Sequence, residues 1–422
     1  MSATDEKIIN TLRALAADTI QKAKSGHPGL PLGAAPMAYA LWANRLKHSP
    51  GNPGFPDRDR FVLSAGHGSS LVYALLHLFG YGLSLEDLKN FRQAGSLTPG
   101  HPEYGHTAGI EVTTGPLGQG IANGVGFAMA EAHLAARFNR EGLDIVDHYT
   151  YALCGDGCLM EGVSSEAASL AGTLGLGKLI VLYDSNSITI EGSTDIAFRE
   201  DVLKRFEAYG WQTLEVADGN DINAITEAID KAKAEKGKPA IIKVTTLIGC
   251  GSPNAGSAAC HGEPLGEENI KAMKEKFGLP AEAFGIDRDV YEKMDGIISR
   301  LNENEKNWNK KLAEYKDKYP ELYAEFIKWI HLEVPMDKLE SDEFWAFPDA
   351  KNATRNLSGE VLNRLCGFML CNNAFPGEPL NDSLVSIIAF QRITARKLFL
   401  PRASEREMLS ALGFIPRRPH RR

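Results

Sequence analysis

TYALCGDG at residues 150–157 is a short apolar run that ends on an aspartate held between two glycines. A strand alternates its side chains between two faces, and this run is apolar or β-branched on both, so both faces must be covered. KLIVLYDSNSITI at 178–190, FVLSAGHG at 61–68 and PAIIKVTTLIG at 239–249 read the same way, with helical patterns between them. Two-sided strands separated by helices predict an α/β architecture with a mostly parallel sheet and helices on both faces. In such sheets ligands sit outside the carboxyl ends of the strands. His67, Asp156, Asn186 and Gly249 to Ser252 all follow directly on the end of a strand run, which makes that edge the candidate site.

Glycines on either side of Asp156 let a large anion approach the backbone closely. Twenty-eight residues separate Gly157 from Asn186, at the end of the next strand run. A carboxylate and an amide oxygen at adjacent strand ends can hold a hard divalent cation that also binds diphosphate oxygens, and magnesium fits that donor set. Alone, Gly-Asp-Gly is weak evidence of a ligand site. The strand before it, the helix after it and a second strand ending in Asp184-Ser185-Asn186 favour a ligand site. Four histidines stand among glycines or prolines in predicted loops: His27 in SGHPG, His67 in AGHG, His101 in PGHPE and His261 in ACHGEP. One such histidine is commonly structural. Four on one sheet edge suit hydrogen bonding and proton exchange near neutral pH. The helix start GQGIANGVG at 118–126 reads as a packing surface in which Gly120, Gly124 and Gly126 admit a close neighbour.

The 422 residues are 43% apolar, 24% charged and 8% aromatic, a composition that supports more than one core and excludes a disordered or fibrous chain. A formal charge of −8 lacks the basic excess of a protein that tracks nucleic-acid phosphates, so small ligands are expected and no nucleic acid. The six cysteines have neither zinc-site nor redox-pair spacing, which predicts a reducing compartment. Residues 1–24 read as an amphipathic helix with Ile8, Ile9, Leu12, Leu15, Ala16 and Ile20 on one face, and not as a signal peptide. No apolar run reaches the ~20 residues of a membrane span. The expected location is the cytoplasm.

Taken together, SGHPGLPLGAAP, FVLSAGHG, TPGHPE, TTGPLGQG, CGDGCLMEGVSSEA, YDSNSITIEG and GSPNAGSAACHG resemble the N-terminal part of transketolase, collinearly from about residue 5 to residue 364. The second motif reads Ser-Asn where many thiamine enzymes have Asn-Asn, which leaves Asn186 in place. The resemblance implies a thiamine-diphosphate-binding fold with Mg2+ held by Asp156, the Asn186 side chain and the Ile188 carbonyl. Gly157 and Asn186 would also meet the diphosphate. It implies that Gly115, Pro116 and Leu117 pass close to the pyrimidine ring, that Ile248 packs against the cofactor, and that His67 and His261 lie near the diphosphate. His27, His101 and His261 would be the catalytic histidines, His27 and His261 also holding substrate. Arg355, in ATRNLSGEVL, matches a substrate-phosphate arginine, a role suited to guanidinium geometry. The implied reaction moves a two-carbon ketol unit from a ketose phosphate to an aldose phosphate, in a homodimer with Glu161 and Glu166 near its interface.

On the same resemblance, residues 1–330 read as the diphosphate-binding domain, closed by charge-rich helices over 284–330. Residues 331–352 read as a linker and 353–365 as the start of a truncated pyrimidine-binding domain. Residues 366–422, with nine Lys or Arg against four Asp or Glu, read as a divergent basic tail outside the family. The family's general-base glutamate and aromatic ring pocket have no counterpart after Cys366. The leading expectation is a transketolase-type enzyme. The alternatives are a truncated, catalytically inactive thiamine-diphosphate-binding or interaction subunit, or half of a split enzyme that needs a complementing C-terminal half.

Overall fold

The computed structural model describes residues 2–331, 337, 340–347 and 353–369. The chain divides after Lys318 into two compact units. In the first unit the strands are β1 (Arg60–Leu63), β2 (Thr150–Gly155), β3 (Leu179–Ser185), β4 (Ile188–Thr189), β5 (Gly192–Ser193), β6 (Gln212–Val216) and β7 (Ala240–Thr245). The helices are α1 (Ala3–Ala23), α2 (Gly29–Asn44), α3 (Ser69–Leu78), α4 (Leu85–Lys89), α5 (Gln119–Phe138), α6 (Asp156–Met160), α7 (Gly162–Leu174), α8 (Val202–Ala208), α9 (Ile222–Ala234), α10 (Glu267–Lys276) and α11 (Arg288–Lys318).

Strands β1-β2-β3-β7-β6 form an all-parallel sheet in that order, while β4 and β5 make a small antiparallel pair just beyond β3. Every residue of β2 and β3 is buried, as the two-sided apolar runs predict for central strands covered on both faces. Register brings the strand ends level: Gly155 lies opposite Asp184, and Asp184 opposite Val244. Asp156, Asn186 and Thr246 therefore leave the sheet side by side.

Helix α1 differs from the amphipathic reading. Residues 8–20 are all buried, because α2, α3, α10 and α11 pack around it. Its polar residues are tolerated there because they are paired. Arg13 donates to the Leu32 carbonyl, Asn10 and Asn220, and Asp18 accepts from Lys274 and from the Phe284 N–H, both at 2.7 Å. Within the first unit the charge-rich region over 284–330 forms α11, pinned by Trp308 Nε1 to the Ile145 carbonyl and by Tyr315 to the Phe138 carbonyl, and its remainder forms a helix of the second unit.

The second unit contains α12 (Pro320–Ile330) and α13 (Thr354–Met369). Parts of the 331–352 linker and residues 370–422 of the basic tail lie outside the described residues. Arg355 belongs to α13, and its side chain also lies outside them.

Candidate functional site

Asp156 opens α6 directly after β2 and is 5% exposed. The Tyr183 hydroxyl donates to its Oδ1, and the Ser187 N–H donates to its Oδ2 at 3.0 Å. Burial raises its carboxyl pKa above the ordinary value, with these hydrogen bonds opposing the shift. Among the described residues no Lys, Arg or His forms an ion pair with it. Beside it, β3 runs into a tight turn in which Ser187 takes φ +59°. Asn186 Oδ1 accepts the Ile188 N–H at 3.0 Å, an Asx turn, while its Nδ2 donates to Asp184 Oδ2 at 2.7 Å. Asp184 is fully buried, also accepts from the Thr246 hydroxyl, and is pushed up to about 7 by burial. A cavity of about 540 Å³ opens beside Asp156, with Tyr183, Ser187, Arg199 and Lys243 in its wall.

Three of the four histidines form a cluster. His67 lies in a 3-10 turn, Gly66–Gly68, after β1, His27 in the α1–α2 connection, and His261 directly after a further 3-10 turn, Ala258–Cys260. Ring centroids are 5.1 Å apart for His27–His67, 5.4 Å for His67–His261 and 5.8 Å for His27–His261. Burial, then neighbouring imidazoles, lower His67 to about 3. Burial, then His261, Arg92 and His101, lower His27 to about 4. His261 is lowered by burial alone. His101 stands on the exposed rim, lowered first by partial desolvation and then by Arg92. All four are neutral at pH 7, each able to donate one hydrogen bond and accept another. His27 Nδ1 and Thr114 Oγ1 are buried without a hydrogen-bond partner.

The loop before α5 closes over this edge. A Cβ on Gly115 would lie 3.5 Å from the His101 ring, and one on Gly66 would lie 2.8 Å from the Gly115 nitrogen. A Cβ on Gly157 would come within 2.9 Å of Leu117, so Leu117 rests against the glycine that follows Asp156. Pro116 is exposed beside it. Ile248 is 1% exposed and packs on Gly29 at the start of α2. Glu161 and Glu166 are exposed at the N-terminal end of α7.

Tyr183, Thr246, Thr114 and Arg92 also build this region and were not singled out by sequence pattern, and Asp184 was read only as part of the end of a strand. Polar residues closing the apolar run of β3 were a readable signal for Tyr183 and Asp184. Arg92, whose Nη1 donates to Ser25 at 2.7 Å and whose charge bears on His27 and His101, sits in a loop without periodicity.

Among the described residues no three His, Cys, Asp or Glu are grouped to hold a metal ion. The available donors are one buried carboxylate with amide and carbonyl oxygens, a hard oxygen set suited to Mg2+ that completes its shell with phosphate and water. The Asp156 carboxylate, desolvated and without an ion pair among the described residues, and the unpartnered His27 and Thr114 atoms fit a site built for a cation and a polar ligand. Cys154, Cys158, Cys250 and Cys260 are free thiols, and no helix among the described residues is long and apolar enough to cross a membrane.

Residues 4–335 match the family described as "Transketolase, thiamine diphosphate binding domain". The transketolase of Geobacillus stearothermophilus is 54% identical over 364 residues, which cover 86% of this chain and 54% of that protein. That of Bacillus subtilis (strain 168) is 53% identical over 368 residues, covering 86% and 55%. A solved transketolase from Leishmania mexicana aligns with a TM-score of 0.82 at 49% identity, over 87% of this chain and 55% of that one. A Pichia stipitis transketolase solved with sedoheptulose 7-phosphate gives 0.81 at 47%, over 86% and 54%. The chain thus spans about half the length of the curated relatives it matches. The resemblance drawn from the sequence motifs and the α/β fold class are both borne out: the chain belongs to the transketolase family, and the part matched is that family's thiamine diphosphate binding domain.

Proposed function

We propose that this chain supplies the diphosphate-binding part of a transketolase-type transferase, moving a two-carbon ketol unit from a ketose phosphate to an aldose phosphate with thiamine diphosphate and Mg2+. One observation carries the reading. Asp156 and the turn that bears Asn186 are tied together by the Ser187 N–H at the end of the parallel sheet, and among the described residues no Lys, Arg or His forms an ion pair with Asp156. Asp156, Asn186 and the Ile188 carbonyl would hold Mg2+, and Gly157, Asn186, His67 and His261 would meet the diphosphate. Gly115, Pro116, Leu117 and Ile248 would form the wall toward the rings. Bound thiamine diphosphate supplies the electron sink for carbon–carbon cleavage.

The imidazoles of His27, His101 and His261, neutral at pH 7, are able to accept a proton from a sugar hydroxyl and return it, while His27 and His261 orient the substrate. Arg355 would anchor the substrate phosphate. In this reading 1–330 is the cofactor domain, 331–352 the linker, 353–365 the opening of a pyrimidine-binding domain and 366–422 the divergent tail. The protein partner would be a second copy of this chain or a complementing C-terminal half, in the cytoplasm.

Because the chain spans about half of its relatives, a thiamine-diphosphate-binding subunit without turnover of its own is the second reading. Calorimetry of thiamine diphosphate with and without Mg2+, beside a two-carbon transfer assay, tests both. Mg2+-dependent binding is expected. Turnover by the chain alone supports the enzyme, and binding with turnover only after adding a relative's C-terminal part supports the split version. Binding indifferent to Mg2+ overturns the site.

A further inference from the structure

We infer that Thr246 and Asp184 act as a positioning relay that dictates which atom of the Asn186 amide faces a metal ion. The inference rests on the Mg2+ and diphosphate reading above. A carboxamide presents an oxygen and an NH2 group of nearly equal size, and only the oxygen ligates a cation. Nothing in the amide itself chooses between them; its partners must.

The partners leave one solution. The Ile188 N–H requires an acceptor, so Oδ1 turns toward it, and the Asp184 carboxylate requires a donor, so Nδ2 turns back toward the sheet. Oδ1 keeps a second lone pair for a ligand. Asp184 is fixed in turn from the neighbouring strand, because the Thr246 hydroxyl, just past β7, donates to its other oxygen. Thr246 has little freedom of its own. Its N–H donates to the Ser185 carbonyl at 3.1 Å. A Cβ on Gly219 would lie 2.8 Å from its Cγ2, and one on Gly33 would lie 3.4 Å from its Oγ1. The chain Thr246–Asp184–Asn186 therefore runs from the backbone of β7 and the packed starts of two helices to the ligand oxygen, with each proton donated in one direction. Such outer partners of a ligand set its orientation and affinity.

The test is Mn2+ binding to the full chain in the presence of thiamine diphosphate, read by the electron paramagnetic resonance of free Mn2+, with the urea midpoint of each metal-free variant measured alongside. Thr246→Val keeps the shape and removes the hydroxyl, and Asp184→Asn keeps the shape and makes the partner of Asn186 ambiguous. Each is expected to weaken Mn2+ roughly 10- to 100-fold with little change in the urea midpoint, and Thr246→Ser is expected to bind as the unaltered chain does. Affinity of Thr246→Val within about twofold of the unaltered chain overturns the relay. So does a loss that merely tracks a lowered urea midpoint and is not restored by Thr246→Ser. If the unaltered chain itself fails to take up Mn2+ with thiamine diphosphate, the site reading falls, and the relay with it.

Discussion

The backbone N–H of Ser187 donates to Oδ2 of Asp156 across 3.0 Å, and Ser187 is the turn residue held at φ +59°. One peptide group thereby ties the end of β2 to the turn that leaves β3. A left-handed conformation costs a non-glycine residue roughly 1–2 kcal/mol, and a β-branched side chain suffers most. Ser187→Gly should be neutral or stabilising by up to about 1 kcal/mol, with Mn2+ uptake intact. Ser187→Val should destabilise by about 1–2 kcal/mol and weaken Mn2+ as the turn shifts away from Asp156. Urea unfolding and Mn2+ titration of the two variants check this, and equal stabilities would contradict the turn's role.

Asp156 carries the opposite trade. Its carboxylate is desolvated and raised in pKa, so its charged form strains the ligand-free chain. Asp156→Asn keeps the shape and allows one amide atom to accept from Ser187 while the other donates to Tyr183. The metal-free variant should unfold at an equal or higher temperature than the unaltered chain, whereas the rise in unfolding temperature on adding Mg2+ with thiamine diphosphate should vanish. A lowered melting temperature in the absence of ligand would show that the carboxylate is structural.

Much of this edge was legible because strands write their ends plainly. Apolar runs two faces wide stop at His67, Asp156, Asn186 and Gly249, and a parallel sheet puts all those stops on one side. Register was not legible: nothing in the letters said that Gly155, Asp184 and Val244 would lie level, and the Asp184–Thr246 contact depends on it. The full burial of α1 was also hidden, since its apolar stripe says only that one face must be covered. What covers the other face, Lys274 to Asp18 and Asn220 to Arg13, comes from residues 256 and 207 positions away.

The glycine-rich start of α5 shows the same limit in a form that can be measured. Gly120, Gly124 and Gly126 look alike in sequence, yet a Cβ on Gly120 would lie 2.4 Å from the Ser64 Cα, one on Gly124 would make ordinary contacts at 3.6–3.7 Å, and one on Gly126 would meet nothing. Only the first is dictated by close packing. Gly120→Ala should destabilise by about 1–3 kcal/mol through overpacking. Gly126→Ala should stabilise by up to about 1 kcal/mol because alanine is the better helix former. Denaturant titrations of both variants decide it, and similar signs would show that α5 is not seated closely against Ser64, just after β1.

His48 provides a pH test separate from the site. It is 2% exposed; its Nε2 faces the Trp42 carbonyl at 3.1 Å and so carries the proton, while Nδ1 accepts from Tyr81 at 2.7 Å. Burial lowers it from 6.5 to about 4. Above pH 6.5 neither folded nor unfolded chain binds a proton there, and stability is flat. Between 6.5 and 4 the unfolded chain binds one and the folded chain does not, so stability falls as pH falls; below 4 both bind it and the dependence ends. Asp59, raised to about 6, and Asp184, raised to about 7, act with the opposite sign, because the folded chain protonates them first. The whole-protein profile is therefore mixed, and a difference between two proteins isolates the histidine. On going from pH 7 to pH 5, the unaltered chain should lose about 2 kcal/mol relative to His48→Gln, read from urea midpoints at the two pH values. A difference that stays constant over that interval would mean that His48 titrates alike in both states and is not held neutral by the core.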